Sequence, residues 1–97
     1  GLMEQADAKG AQYERRLAGH PAVREIRRTG LLMGVEFGDP ALTQRIVLRA
    51  VERGLMTEWF LFRDTAMRIA PPLTITPAEI DESCDILLDV LREVTGS

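Results

Sequence analysis

The chain has 97 residues, 45% hydrophobic and 28% charged, with a formal net charge of −3. That is the make-up of one soluble globular domain, which buries roughly two thirds of its unfolded surface. The acidic balance argues against nucleic acid or an anionic membrane as partner, no apolar run approaches the about 18 residues of a membrane span, and a single cysteine excludes an internal disulfide and suits a reducing cytoplasm.

Gly1-Leu2-Met3-Glu4 shows neither the basic region nor the apolar stretch of a signal peptide. Leu2, Met3, Ala6, Gly10, Tyr13 and Leu17 recur at helical spacing, which predicts an amphipathic helix ending at Gly19. His20-Pro21 then breaks the chain. Without a second His or a cluster of acids, His20 reads as a loop residue and not as a base or ligand.

Residues 23–28 and 31–37 read as two strands of a hairpin turning at Thr29-Gly30. In the second strand Leu31, Met33, Val35 and Phe37 share one face, with Leu32, Gly34 and Glu36 opposite. A glycine inside a strand, as at Gly34, suggests close backbone approach or a bulge. Asp39 as N-cap and Pro40 as first residue open a second helix. Its apolar stripe is Leu42, Ile46, Val47, Ala50 and Val51, and Gly54 ends it.

Leu55 to Glu58 is expected as a short strand, followed by the apolar run Trp59-Phe60-Leu61-Phe62, a core plug or the rim of a pocket or interface. Arg63-Asp64-Thr65 reads as a turn and Ala66 to Ala70 as a strand. Thr76, Pro77 and Glu79 carry the marks of a capped helix start, with Ile75 and Ile80 placed for a hydrophobic staple. Ile80, Cys84, Leu87, Leu88, Leu91 and Val94 form that helix's apolar face, so Cys84 reads as a small core residue. The order α-β-β-α-β-β-α, with no repeat or linker, gives an α+β fold: a small, mostly antiparallel sheet with helices on one face.

Arg68 stands out within Ala66 to Ala70. Alternation puts Met67 and Ile69 on one face and Ala66, Arg68 and Ala70 on the other. The flanking alanines leave room around a planar cation suited to grip a carboxylate or phosphate in bidentate fashion. On the residues alone, an arginine on the solvated face of an edge strand is the favoured reading, since arginine is mostly exposed.

Three stretches resemble the class III pyridoxal-phosphate aminotransferases, which include acetylornithine, ornithine and 4-aminobutyrate aminotransferases. Arg68-Ile69-Ala70-Pro71-Pro72-Leu73-Thr74-Ile75-Thr76 is similar to their C-terminal R-x-x-P-P-L signature. Arg27-Arg28-Thr29-Gly30-Leu31-Leu32-Met33-Gly34-Val35-Glu36 resembles their R-G-x-G-L-M-x-G-x-E strand, with Arg28 in place of the usual Gly. The approach Leu17-Ala18-Gly19-His20-Pro21-Ala22-Val23 stands in the family's order.

The resemblance implies the small C-terminal domain of the type I aminotransferase fold, over residues 1–97. It implies transfer of an amino group between an ornithine-like or other ω-amino donor and a 2-oxo acid. It further implies pyridoxal phosphate as cofactor, a homodimer, and Arg68 as the group that binds the substrate carboxylate. Arg27 and Glu36 also match motif positions, and structural roles are expected for both: Arg27 bracing the hairpin, Glu36 pairing locally.

The chain has 11 arginines and one lysine, Lys9, which lies far from any family motif for the cofactor-bearing lysine. The expectation is therefore a fragment, inactive alone, whose large cofactor-binding domain lies upstream. One His, one Cys and scattered acids predict no metal site, and no catalytic set is expected within the chain. The first helix and Trp59 to Phe62 would then lack their usual cover. A stand-alone α+β module that binds a small anion or pairs two copies is the alternative.

Overall fold

A computed structural model describes residues 1–55 and 59–97, leaving out the side chains of Phe62 and Arg63. Three helices and four strands follow the expected order: α1 (Leu2–Leu17), β1 (Glu25–Thr29), β2 (Leu32–Glu36), α2 (Pro40–Glu52), β3 (Phe60–Arg63), β4 (Ala66–Ile69) and α3 (Pro77–Thr95). The sheet is antiparallel throughout, with spatial order β1-β2-β4-β3. Each hairpin turns where the chain carries a left-handed residue: Gly30 at φ 60° and Asp64 at φ 53°.

The local start signals act as their chemistry requires. Asp39 accepts from the Ala41 N–H at 2.9 Å, with Pro40 at the first turn of α2. At α3 the Thr76 hydroxyl accepts from the Glu79 N–H at 3.1 Å, and the Glu79 carboxylate accepts from the Thr76 N–H at 2.9 Å. Ile75 and Ile80 on either side of this cap are both buried.

The strand expected at Leu55 to Glu58 falls mainly on residues 56–58, outside the described residues, and Leu55 is buried irregular chain behind α2. The partner of β4 is instead Phe60–Arg63. It is held by the pairs Phe60↔Ile69 and Leu61↔Arg68, and the Ala70 N–H extends the ladder to the Trp59 carbonyl at 2.8 Å. Pairing splits the apolar run between faces: Phe60 enters the core and Leu61 stays 55% exposed.

Met33 and Val35 of β2 and Met67 and Ile69 of β4 meet Ile46 and Ala50 of α2 and Ile80, Cys84, Leu87 and Leu91 of α3 in one core. Tyr13 and Leu17 bring α1 into it, whereas Leu2 and Met3 lie exposed at the free end of that helix. Ion pairs lace the helices on their outer sides. Arg16 joins Asp81 and Asp85, and Arg49 holds Glu93 through two bonds of 2.7 and 2.9 Å. Among the described residues no helix packs on the opposite face of the sheet, and the candidate site lies there.

Candidate carboxylate site on the open sheet face

Register builds the site. Gly34 of β2 stands opposite Arg27 of β1 on one side and Arg68 of β4 on the other, and Leu61 of β3 stands opposite Arg68. Residues directly paired across strands project to the same face. A single row, Arg27-Gly34-Arg68-Leu61, therefore crosses the uncovered side of the sheet. Arg27 and Arg68 are exposed, and both line a groove of about 530 Å³ that also takes in Leu32, Gly34, Ala66 and Asp64.

Arg68 leaves the sheet on the side that alternation requires, since Met67 and Ile69 are buried on the other. Among the described residues no carboxylate oxygen lies within 4.0 Å of its guanidinium. Its donors face the groove and solvent.

Arg27 reaches Glu25 and Glu36 only at 3.6 Å each, beyond hydrogen-bond distance, with its own side chain 66% exposed. It is a loose neighbour of those acids and not a brace for the hairpin. Arg28 braces it instead. Its Nε donates to Glu14 at 2.8 Å, and its terminal nitrogen donates to Asp7 at 2.9 Å and to the Gly30 carbonyl at 3.1 Å, which ties α1 to the β1–β2 turn. The residue that departs from the motif thus takes the structural role expected of its neighbour. The signal was in the sequence as a charge at helical spacing, Asp7 and Glu14 on one face of α1, but its partner across the turn was not.

Glu36 accepts from the Gly38 N–H at 2.9 Å. The neighbouring Thr65 hydroxyl, then the Gly38 N–H and the positive Arg27 and Arg24, hold its carboxyl below the usual range. It closes the strand end and offers the groove no free acid.

Gly34 needs correction. β2 keeps an unbroken register with both neighbours, so there is no bulge. A Cβ built at Gly34 meets nothing within 4 Å, so no backbone approaches it closely either.

A second hollow, about 200 Å³, lies between the end of α2 and the start of α3, lined by Leu55, Trp59, Phe60 and Ile86. Two acids line it, Glu79 and Glu82, and the first is engaged in the α3 cap. His20 accepts from the Ala22 N–H through Nδ1 at 3.0 Å and sits in the turn after α1.

A family model described as aminotransferase class-III matches residues 1–91. The chain belongs to the class-III aminotransferase family. The acetylornithine aminotransferase of Caldanaerobacter subterraneus is 39% identical, over 97% of this chain and 24% of that protein. A diaminobutyrate–2-oxoglutarate transaminase of Streptomyces anulatus is 37% identical, over 96% of this chain and 23% of that protein. Among solved structures, a thermostable omega transaminase from Pseudomonas jessenii superposes with a TM-score of 0.83 at 27% identity, covering 98% of this chain and 24% of that one. The ornithine aminotransferase of Toxoplasma gondii, whose active site holds pyridoxal phosphate at partial occupancy, gives 0.78 at 30% identity, with the same coverage.

This class-III chain spans about a quarter of the length of the relatives it matches. Its one lysine, Lys9, donates from Nζ to the Leu73 carbonyl at 2.5 Å. Lys9 belongs to α1, on the helix-covered side of the sheet, while Arg68 points from the other. The residues described here therefore do not fit covalent attachment of pyridoxal phosphate at the Arg68 groove.

Proposed function

We propose that this chain is the small C-terminal domain of a pyridoxal-phosphate-dependent aminotransferase and that Arg68 binds the carboxylate of the amino acid or 2-oxo acid substrate. The observation that carries the reading is Arg68 itself. It is a cation on a paired strand, aimed from the uncovered face into a groove, with no acid of the described residues engaging it. A solvated structural arginine needs no groove, whereas a carboxylate receptor needs donors that are oriented and not already satisfied.

Pyridoxal phosphate, held elsewhere in the longer protein, would supply the electron sink for amino-group transfer. The part of this chain is to fix the substrate by its carboxylate so that its amino or oxo end is presented to that group. The family resemblance implies a homodimer, and the single cysteine suits a reducing cytoplasm. The match over residues 1–91, with relatives some four times as long, favours this reading over a stand-alone anion-binding module.

The test is Arg68→Gln in the longer polypeptide carrying this chain. A charge-assisted bond contributes about 1.5–3 kcal/mol, so kcat/KM for the carboxylate substrate should fall at least tenfold, chiefly through KM. Unchanged KM for both the amino donor and the oxo acceptor would overturn the assignment.

A further inference from the structure

Gly34 is a glycine in the middle of a paired strand whose identity nothing in the fold explains. Glycine inside a strand loosens it, because it gives up side-chain packing and carries more backbone freedom into the unfolded state. Such a position keeps glycine where φ is positive or where another atom crowds the Cβ. Gly34 is not among the positive-φ residues, and its Cβ site is empty to 4 Å. The contrast within the chain is sharp: at Gly10 a Cβ would strike the Gly30 carbonyl, and at Gly38 the Arg24 side chain. The empty volume at Gly34 opens onto the groove, between the two arginines of the row.

We infer that Gly34 is the floor of the anion site and Arg27 its second positive arm, so that one carboxylate of a small molecule lies over Gly34 between Arg68 and Arg27. This rests on the reading of Arg68 as a carboxylate receptor. Adjacent strands lie about 4.8 Å apart, so the two arginine backbones are separated by roughly 10 Å across Gly34, within reach of two extended side chains converging on one group. A side chain at position 34 would rise into that space. Arg27 is available for it. Its contacts to Glu25 and Glu36 are both long, at 3.6 Å, and its own side chain is 66% exposed, so screening leaves them a small contribution. Glu36 keeps its bond from the Gly38 N–H when Arg27 swings away. Arg28 cannot substitute, being committed to Asp7 and Glu14 on the other side of the sheet.

The experiment is an NMR titration of the longer polypeptide carrying this chain, labelled at glycine and arginine, with sodium propionate against sodium chloride at equal ionic strength. The Gly34 amide and the Nε–H signals of Arg27 and Arg68 are followed. Propionate should move all three. Arg27→Gln should weaken the response by about threefold, the scale of one exposed charged contact. Gly34→Val should abolish the response at Arg68 while the thermal midpoint holds or rises. If both variants bind propionate through Arg68 as the unmodified chain does, the floor and second arm are wrong and the Arg68 assignment survives. If the unmodified chain shows no propionate response at Arg68, both fall. Should Gly34→Val fail to fold, Arg27→Gln and Gly34→Ala decide the matter.

Discussion

A Cβ placed on Gly10 would lie 1.9 Å from the Gly30 carbonyl oxygen. Helix α1 therefore rests directly on the β1–β2 turn, backbone against backbone. Gly30 is itself left-handed at φ 60°, which aims its carbonyl into the helix and also gives Arg28 an acceptor at 3.1 Å. Gly10, Gly30 and Arg28 form one joint between α1 and the hairpin.

Two glycine substitutions should consequently act with opposite signs. In an ordinary helix Gly→Ala stabilises by about 0.5–1 kcal/mol. Gly10→Ala should instead destabilise by about 1–3 kcal/mol, since the added methyl forces α1 off the turn. Gly34→Ala, with free space at its Cβ, should stabilise by about 0.5 kcal/mol. Urea unfolding midpoints of the two variants measure this, and a Gly10→Ala variant as stable as its parent would contradict the joint.

Arg28→Gly, which restores the residue usual in the motif, should cost about 1 kcal/mol. The Arg28 side chain is 19% exposed, but its partners Glu14 and Asp7 are 43% and 69% exposed, so screening keeps the contribution modest. A double-mutant cycle with Glu14→Gln at low and high salt separates charge from packing. A coupling that does not shrink with salt would show that the arginine acts through its hydrocarbon stem instead.

Acid should weaken the fold through the helix ion pairs. Asp81, bonded by Gln12 and Arg16, and Glu93, bonded by Arg49, both have carboxyls held below the ordinary range, as does Glu36. With native values lowered, the unfolded chain binds more protons as pH falls through about 4. The stability from these groups is thus complete above the unfolded carboxylate value and is lost as pH drops through the lowered native ones. Urea midpoints between pH 7 and pH 3 should decline, and Arg49→Gln should flatten the decline. A decline of the same steepness in Arg49→Gln would remove Glu93 from the account.

Local chemistry made much of this architecture readable. The start of α3 depends on Thr76, Pro77 and Glu79, all within one turn of each other, and the outward aim of Arg68 depends on alternation within four residues. What could not be read depends on pairing between distant segments. Strand β3 exists because Phe60 and Leu61 pair with Ile69 and Arg68, and its apolar residues look alike whether they fill a core or form a strand. The Arg27-Gly34-Arg68 row follows from two registers at once, neither visible in a linear chain. Leu2 and Met3 continue the helical stripe of α1 and lie exposed, in line with the expectation that the first helix lacks its usual cover in this chain.

The alkaline behaviour of the core has an unusually clean reporter, because the chain holds one tyrosine and one cysteine. Tyr13 is fully buried, with its hydroxyl 2.9 Å from the Ser83 hydroxyl, which itself donates to the Ile80 carbonyl at 3.0 Å. Burial, only partly opposed by the Ser83 hydrogen bond, pushes the Tyr13 phenol up to about 12, and burial pushes the Cys84 thiol up to about 12 as well. For both acids the native value lies above the unfolded one. The stability they contribute is therefore complete below the unfolded values, about 8.5 for Cys and 10 for Tyr, and is lost as pH rises toward 12. Tyrosinate absorbance should stay flat through pH 10 and then rise together with the loss of helical circular dichroism. Cys84 should resist a thiol reagent until the same transition. Tyrosinate appearing near pH 10 with the helices intact would mean that Tyr13 meets water, and the α1–α3 contact built on it would have to be redrawn.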